Sequence, residues 1–219
     1  MKEPAEREIA IAVPEGVLGA TLVVPERSQG LVIFAHGSGS SRFSPRNRFV
    51  ASRLNVAGFS TLLTDLLTRT EERRDAVTAE LRFDIAFLAR RLDAATEYVR
   101  ASFAKEATSI GYFGASTGAA AALVAAASAG TAVAAIVSRG GRPDLAGDAL
   151  PRVTAPTLLI VGGNDEPVIE MNRTAKSRMT CPTELVIVPG ATHLFEEPGT
   201  LERVAELAAQ WFRKHLAAI

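Results

Sequence analysis

The sequence predicts an α/β protein with a mostly parallel central sheet and helices on both faces. Apolar runs with the pattern of strands alternate along the chain with helical patterns, which is typical of βαβ units. The runs in the middle of the chain also lack polar alternation, as expected of parallel strands covered on both faces. At 219 residues, with 47% hydrophobic and 22% charged side chains, the chain has the size and composition of one globular domain spanning 1–219.

Four segments in the first part of the chain have strand patterns: Glu8–Val13, Leu18–Val24, Leu31–Ala35 and Phe59–Thr64. The first two are separated by a Pro-Glu-Gly turn and are expected to pair antiparallel at a sheet edge. Ser44 and Pro45 form a helix-start signal, and Gly58 is placed to end that helix. A charged helical region follows, in which apolar residues spaced along 85–103 form one buried face.

Strand and helix patterns also alternate through the second part of the chain. The strands are Ser109–Phe113, Ala132–Val137, Thr157–Val161 and Glu184–Val188, and the helices are Thr117–Ala129, Val168–Met179 and Leu201–Leu216. No charged residue lies between positions 107 and 138, a stretch long enough to span a bilayer. Four glycines and several hydroxyls interrupt this stretch. We therefore interpret it as a strand followed by a sharp turn, a buried helix and a second strand, and not as a membrane span.

Charge and cysteine content argue against several classes of function. Lys plus Arg equals Asp plus Glu at 24 each, so the chain has no electrostatic footprint for nucleic acid or an anionic membrane. The single cysteine, Cys181, permits no internal disulfide and no cysteine-based zinc or iron–sulfur site. The first ten residues contain no apolar signal region. We therefore expect a cytoplasmic protein without metal, cofactor, nucleic-acid or membrane partners, and its oligomeric state stays open.

A serine follows the predicted strand Ser109–Phe113, at the edge of the sheet where α/β proteins place their sites. The residues Gly114-Ala115-Ser116-Thr117-Gly118 form a G-x-S-x-G pattern between a strand and a helix. The small flanking residues let backbone and helix pack closely around a strained turn. Ser116 also lies at a helix N-terminus, where free N–H groups face developing negative charge. The alternative is a βα turn that binds phosphate or only connects two elements.

Two further strand ends carry an acid and an imidazole, Asp165 and His193. Taken separately, Asp165 could be a helix N-cap and His193 a surface residue. With Ser116 they occur in the order nucleophile, acid, base, and the gaps of 49 and 28 residues leave room for one βα repeat each. The other histidines fit less well, because His36 lies before the serine and His215 is expected to be solvated on the last helix.

The Gly-rich segment His36-Gly37-Ser38-Gly39-Ser40-Ser41 follows the third predicted strand. Such a loop offers a backbone N–H to an oxyanion, and the residue after the nucleophile offers a second. We therefore predict Ser38 and Thr117 as oxyanion-hole donors, with Gly37 or Gly39 as alternatives to Ser38. A flexible connecting loop is the other interpretation. No dinucleotide-binding signature accompanies the glycines, so a nicotinamide cofactor is not expected.

Together, the motifs H-G-S-G-S-S, G-A-S-T-G, G-G-N-D and G-A-T-H resemble the α/β-hydrolase superfamily, and more narrowly its small dienelactone-hydrolase-like members. The resemblance extends from about Leu31 through the last helix, and it implies Ser116 as nucleophile, Asp165 as acid and His193 as base. Dienelactone hydrolases proper use a cysteine nucleophile, so the serine argues against dienelactone as the substrate.

Two further expectations follow from the resemblance. The chain is similar to hydrolase domains that are joined in some proteins to a phosphoribosyltransferase, and we expect no such partner within these 219 residues. Only residues 139–155 separate two predicted strands at the point where larger relatives insert a helical cap. We therefore expect an α/β-hydrolase fold with no large cap domain and an open site.

These residues predict a serine hydrolase that cleaves small carboxylic esters through an acyl-enzyme, with a small-molecule ester as its partner. A lactonase or a thioesterase would use the same machinery. The rival of a different class is a hydrolase fold kept as a non-catalytic binding module, because a fold alone does not prove activity.

Arginines after two strands raise the question of an anionic substrate: Arg42, Arg46, Arg48, Arg139 and Arg142. Arginine pairs with carboxylate or phosphate through two parallel hydrogen bonds. We take Arg42 and Arg139, with Gly37 and Gly39, as candidate substrate contacts. Ion pairs that only stabilise loops are the more common alternative. Asp65, at the end of another predicted strand, is interpreted as structural.

Overall fold

The computed structural model describes residues 5–129 and 132–216, which form an eight-stranded sheet with helices on both faces. The strands are β1 (Glu6–Val13), β2 (Gly16–Val23), β3 (Leu31–Ala35), β4 (Ser60–Thr64), β5 (Ile110–Ala115), β6 (Ala135–Arg139), β7 (Thr157–Gly162) and β8 (Thr183–Val188). Their spatial order is β1-β2-β4-β3-β5-β6-β7-β8. The strands β1 and β2 are antiparallel at one edge, whereas β3 to β8 run parallel. The predicted fold class is confirmed.

The helices are α1 (Pro45–Val56), α2 (Arg69–Thr78), α3 (Ile85–Ser102), α4 (Thr117–Ala129), α5 (Glu166–Arg178) and α6 (Thr200–Leu216). One face of the sheet packs against α1 and α6, and the other against α3 and α4. As predicted, Ser44 caps α1 by accepting the N–H of Asn47, and Gly58 follows its last turn with a φ of +92°. The charged region predicted as helical contains a separate helix, α2, which was not distinguished from α3. A capping box of Thr68 and Glu71 marks the start of α2.

Every residue of β3 to β7 is buried, which explains why these strands lack polar alternation. The strand β6 covers Ala135–Arg139, whereas the prediction was Ala132–Val137. The prediction ended too early because Ser138 and Arg139 are polar, yet both are buried at the carboxyl end of the strand. This shift matters for function, since it brings Arg139 to the end of the strand beside the elbow.

The connections after the central strands bear on access to the site. Between β6 and β7 the described chain forms short 3-10 turns within Pro143–Arg152 and no helical cap. The charge-free stretch forms β5, α4 and β6, apart from positions 130 and 131, which lie outside the described residues. In the described ranges, no helix is both long enough and apolar enough to cross a bilayer.

Candidate active site

Ser116 lies between β5 and α4 in a left-handed backbone conformation, with a φ of +50°. Residues other than glycine rarely adopt this conformation, and those that do are concentrated at functional sites held in place by the surrounding structure. The turn places Ser116 at the carboxyl edge of the sheet, immediately before the first residue of α4. The local geometry predicted for the G-x-S-x-G segment is therefore present.

Steric crowding excludes any side chain at the two glycines on either side of Ser116. A Cβ atom on Gly114 would lie 2.4 Å from Cα of Ala119, and one on Gly118 would lie 2.2 Å from the carbonyl oxygen of Ala35. Neither glycine has a positive φ. Close approach of strand, turn and helix, rather than backbone freedom, therefore excludes a side chain at both positions.

Asp165 and His193 form a hydrogen-bonded pair, with Nδ1 of His193 2.6 Å from Oδ2 of Asp165. Asp165 occupies the N-cap position of α5, but its side chain makes no capping bond. The carboxylate, which is 14% exposed, is therefore free to orient the imidazole. Because Nδ1 faces the acid, Nε2 is the nitrogen left to exchange a proton with a hydroxyl.

The loop that carries His193 is held from two sides. The carboxylate of Glu197 accepts bonds from the hydroxyl and the N–H of Thr192, at 2.6 and 3.0 Å, and these bonds lower the pKa of Glu197. Phe195 is buried and has a φ of +56°. The imidazole packs over Gly140, where a Cβ atom would lie 3.6 Å from its Nδ1. Neither Thr192 nor Glu197 is predicted as a site residue, and their only signal in the sequence is their closeness to the histidine.

Ser116 and His193 each contact the end of β6. The N–H of Ser116 donates to the carbonyl oxygen of Arg139 at 3.3 Å, and the imidazole lies over the next residue, Gly140. Among the described residues, no hydrogen bond joins the hydroxyl of Ser116 to the imidazole. Such bonds are often long in ligand-free enzymes and shorten in the substrate complex. The three predicted residues therefore lie at the same edge of the sheet, and a hydrogen bond joins two of them, Asp165 and His193.

The loop after β3 approaches Ser116 from another side. A Cβ atom on Gly37 would lie 3.0 Å from Cβ of Ser116. Residues Gly37, Ser38, Gly39 and Thr117 border a cavity of about 210 Å³. Thr117 is the first residue of α4, so its N–H has no acceptor within the helix. The residues predicted as oxyanion donors therefore share one cavity beside the elbow.

Both histidines outside the predicted triad have structural contacts. His36 is buried, its Nε2 accepts the N–H of Leu66 at 3.1 Å, and its Nδ1 donates to the carbonyl oxygen of Gly37 at 2.9 Å. Burial lowers the pKa of His36, in agreement with a neutral ring that ties this loop to the segment after β4. The sequence analysis missed this role. It was also wrong about His215, whose half-buried ring packs 4.4 Å from that of Trp211.

Arg42 is held in an ion-pair cluster. Its Nη1 lies 2.5 Å from Oδ2 of Asp65, its Nη2 lies 3.0 Å from Oε2 of Glu8, and its backbone N–H also donates to Asp65. The guanidinium rests against Gly19 of β2, where a Cβ atom would collide with it. These bonds favour the loop-stabilising interpretation of Arg42 over a substrate contact, and they agree with a structural role for Asp65.

The other arginines after strands divide into two kinds. Three form ion pairs with nearby carboxylates: Arg46 with Glu196, Arg48 with Glu6 and Arg142 with Asp144. Arg139 is only 7% exposed and forms no ion pair with any described carboxylate. Substrate contact by Arg139, Gly37 and Gly39 stays a prediction.

An elbow serine, an acid–imidazole pair and a mostly parallel sheet with this strand order define the α/β-hydrolase class. A model of the dienelactone hydrolase family matches residues 18–217. The crystal structure of a dienelactone hydrolase from Anabaena variabilis is 54% identical, with a TM-score of 0.95 over 98% of this chain and 99% of that one. The chain belongs to the dienelactone hydrolase family.

More distant and longer proteins are also similar. Two curated proteins of Mycobacterium tuberculosis, provisionally named phosphoribosyl transferases, are 54% identical over 211 residues, which is 96% of this chain. The chain spans about half of their length, 47%. An esterase of Pyrococcus furiosus is 16% identical, with a TM-score of 0.74 over 97% of this chain and 92% of that one, and so shares the fold.

Proposed function

We propose that this protein hydrolyses small carboxylic esters by a serine mechanism. The observation that carries the proposal is the arrangement at the carboxyl edge: a serine at a strained elbow and an imidazole bonded to a carboxylate, both beside the end of β6. A hydroxyl is a weak nucleophile on its own and needs an adjacent base of this kind. The substrate is a small molecule, and the chain works without a metal or an organic cofactor.

The reaction proceeds in two halves. Oγ of Ser116 attacks the carbonyl carbon while Nε2 of His193 takes the hydroxyl proton, and the proton then passes to the leaving alcohol oxygen as the ester bond breaks. In the second half, His193 takes a proton from water, whose oxygen attacks the acyl carbon. His193 then returns that proton to Oγ of Ser116 as the acyl–enzyme bond breaks and the acid leaves. Asp165 keeps Nδ1 protonated and stabilises the imidazolium in both halves.

The oxyanion that forms in each half needs donors in a fixed position. The N–H groups of Ser38 and Thr117 supply them in this proposal, since both residues border the cavity beside Ser116. Loss of one such donor typically costs about 10²–10³ in rate. His36 supports the loop of Ser38 through its bonds to Gly37 and Leu66.

The cavity beside the elbow supports a small acyl group. Its volume of about 210 Å³ lies below the range of about 300–1,000 Å³ that is usual for sites of drug-sized ligands. Apolar side chains from Leu66, Leu67 and Leu88 contribute to its wall. Polar side chains from Glu72, Asp75 and Arg82 also line it, with Arg82 ion-paired to Asp75. Short acyl chains should therefore be preferred over long ones.

A cyclic ester is the second candidate substrate. The family and the Anabaena variabilis protein carry the name of dienelactone hydrolase, and that protein is 54% identical to this chain. Opening a lactone requires the same nucleophile, base and oxyanion donors, with the leaving alcohol still attached to the acyl group. We do not extend phosphoribosyl transfer to this chain, because the matched family and the site both indicate hydrolysis.

Covalent labelling tests the serine mechanism directly. A fluorophosphonate probe should modify one serine, Ser116, and Ser116→Ala should abolish both labelling and hydrolysis of p-nitrophenyl acetate. The exposed Ser177→Ala variant is the matched control and should behave like the wild type. Normal turnover by folded Ser116→Ala would refute the nucleophile. An unlabelled wild type that hydrolyses no ester, thioester or lactone would favour the non-catalytic binding module.

A further inference from the structure

Two arginines are buried in the described part of the chain, and they differ in their partners. Arg91 bonds Glu15 and Glu71 through its two terminal nitrogens, at 2.7 and 2.6 Å. Arg139, which is 7% exposed, has no described carboxylate within ion-pair distance. The fold therefore supplies described counter-charges to one buried guanidinium and none to the other, although Nε lacks a described partner in both.

The hydrogen bonds of Arg139 are also incomplete. Its Nη2 makes a long bond of 3.4 Å to Oδ1 of Asn47, and its Nε has no partner among residues 5–129 and 132–216. On another side the guanidinium faces the ring of Phe195, whose centroid lies 6.0 Å away. A buried charge without a counter-ion is strongly unfavourable, and an unsatisfied buried donor requires an explanation such as a bound ion.

The surroundings of Arg139 add positive charge. Asn47 and Arg46 lie in the first turn of α1, a 12-residue helix whose N-terminus carries partial positive charge. Burial and, to a lesser extent, the charge of Arg46 lower the pKa of Arg139 to about 10. Arg46 bonds the exposed Glu196 at 3.0 Å, but its own Nε is buried and has no described partner. Among the described carboxylates, Glu196 pairs with Arg46 and none pairs with Arg139.

This group of donors adjoins the candidate active site. The carbonyl oxygen of Arg139 accepts the N–H of Ser116, at 3.3 Å. Phe195, which the guanidinium faces, belongs to the same loop as His193. An anion held by Arg139 would therefore lie near the segments that carry Ser116 and His193.

We propose that Arg139, Arg46 and Asn47, at the first turn of α1, bind a phosphate group carried by the ester substrate. The proposal rests on the proposed hydrolase function for the role of this site, but not for the binding itself. Two guanidinium groups can donate to different oxygens, and the partial positive charge at the start of α1 adds to the attraction, which suits the three acceptor oxygens of a phosphate better than a planar carboxylate. A phosphate also supplies the negative charge that Arg139 lacks.

Binding can be tested without catalysis, in the Ser116→Ala background. Inorganic phosphate should raise the Tm of that protein by a few degrees relative to sodium chloride of equal ionic strength, because a ligand that binds only the native state stabilises it. Arg139→Gln and the more exposed Arg46→Gln should each weaken phosphate binding by about tenfold. Arg53→Gln, in the last turn of α1, is the matched control and should retain it.

The Tm shifts decide both whether the anion site exists and whether it prefers phosphate. Absence of any phosphate-dependent rise, or equal rises in all variants, would overturn the site. Acetate that raises the Tm as much as phosphate would overturn the choice of phosphate. If Arg139→Gln does not fold, Arg46→Gln and Arg53→Gln still decide the question, since both positions are partly or fully exposed.

Kinetics test whether the site serves the substrate. Phosphate should competitively inhibit hydrolysis of an acetate ester whose alcohol carries a phosphate group in the wild type, and Arg46→Gln should weaken that inhibition by about tenfold. Phosphate that binds but does not inhibit competitively would overturn the substrate role. If no ester is hydrolysed at all while phosphate still stabilises Ser116→Ala, then the hydrolase proposal fails and the anion site stands.

Discussion

The imidazole of His193 and the carboxylate of Asp165 are 2.6 Å apart, although 28 residues separate them in the chain. Asp165 begins α5 without capping it, so its main described side-chain partner is the imidazole. Within the described residues, neither side chain bonds Ser116. The acid–imidazole pair is thus assembled independently of the nucleophile, and its contribution can be measured separately.

Asp165→Asn should lower kcat for p-nitrophenyl acetate by about 10³–10⁴ while the fold is retained, because an amide neither holds the correct tautomer of His193 nor stabilises its charged form. Glu166→Gln, at the next and exposed position, is the matched control and should keep wild-type activity. Steady-state kinetics with circular dichroism check both variants. A loss of less than about tenfold in Asp165→Asn would contradict the role of the acid.

Gly118→Ala should lower the free energy of unfolding by about 1–3 kcal/mol, since the new Cβ would lie 2.2 Å from the carbonyl oxygen of Ala35. Gly147→Ala is an informative comparison, because Gly147 has a φ of +52° but no described neighbour within 4 Å of the Cβ that alanine would add. With a ψ of −123°, backbone strain alone should make Gly147→Ala cost about 1–3 kcal/mol. Urea unfolding measures both, and a Gly118→Ala variant as stable as the wild type would contradict the packing argument.

Arg42→Met should lower the free energy of unfolding by about 1–3 kcal/mol, because it leaves the half-buried carboxylate of Asp65 without its charged partner. Arg48→Met removes an exposed pair with Glu6 and should cost about 0–1 kcal/mol. Chemical denaturation compares the two variants. Equal stability of Arg42→Met and wild type, together with a raised KM for esters, would instead indicate a substrate contact.

Stability should depend on the protonation of His36. Burial lowers its pKa below the ordinary value of 6.5, so below that pH the unfolded chain binds a proton that the native protein does not. The free energy of unfolding should therefore fall as the pH decreases below 6.5, by up to about 1.4 kcal/mol per pH unit from this group. His36→Asn should have a shallower slope between about pH 6.5 and 5 in urea titrations.

A control is needed because burial also lowers the pKa of His215, which contributes a slope of the same sign. His215→Gln should flatten the profile less than His36→Asn, since His215 is only half buried. A pH profile of His36→Asn that parallels the wild type would show that the native ring accepts a proton as readily as the unfolded one.

Much of the fold and the elbow could be predicted because they depend on short stretches of sequence. Solid apolar runs predict central strands wherever both faces are covered, and β3 begins and ends at the predicted residues. The pattern around Ser116 needs only its own five residues, since the strand, turn and helix are contiguous. The end of β6 was predicted two residues too early. Ser138 and Arg139 belong to this strand, although nothing in their residue types indicates a buried strand.

Only the tertiary structure decided which polar groups meet. Five arginines after strands look alike in the sequence, yet Arg42 reaches Asp65 and Glu8, whereas Arg139 reaches no described carboxylate. His36 likewise acquires its role from Leu66, 30 residues away. The physical reason is that periodicity reports burial along one segment, whereas the strength of a charge or a hydrogen bond depends on distances to partners that only the folded chain brings together.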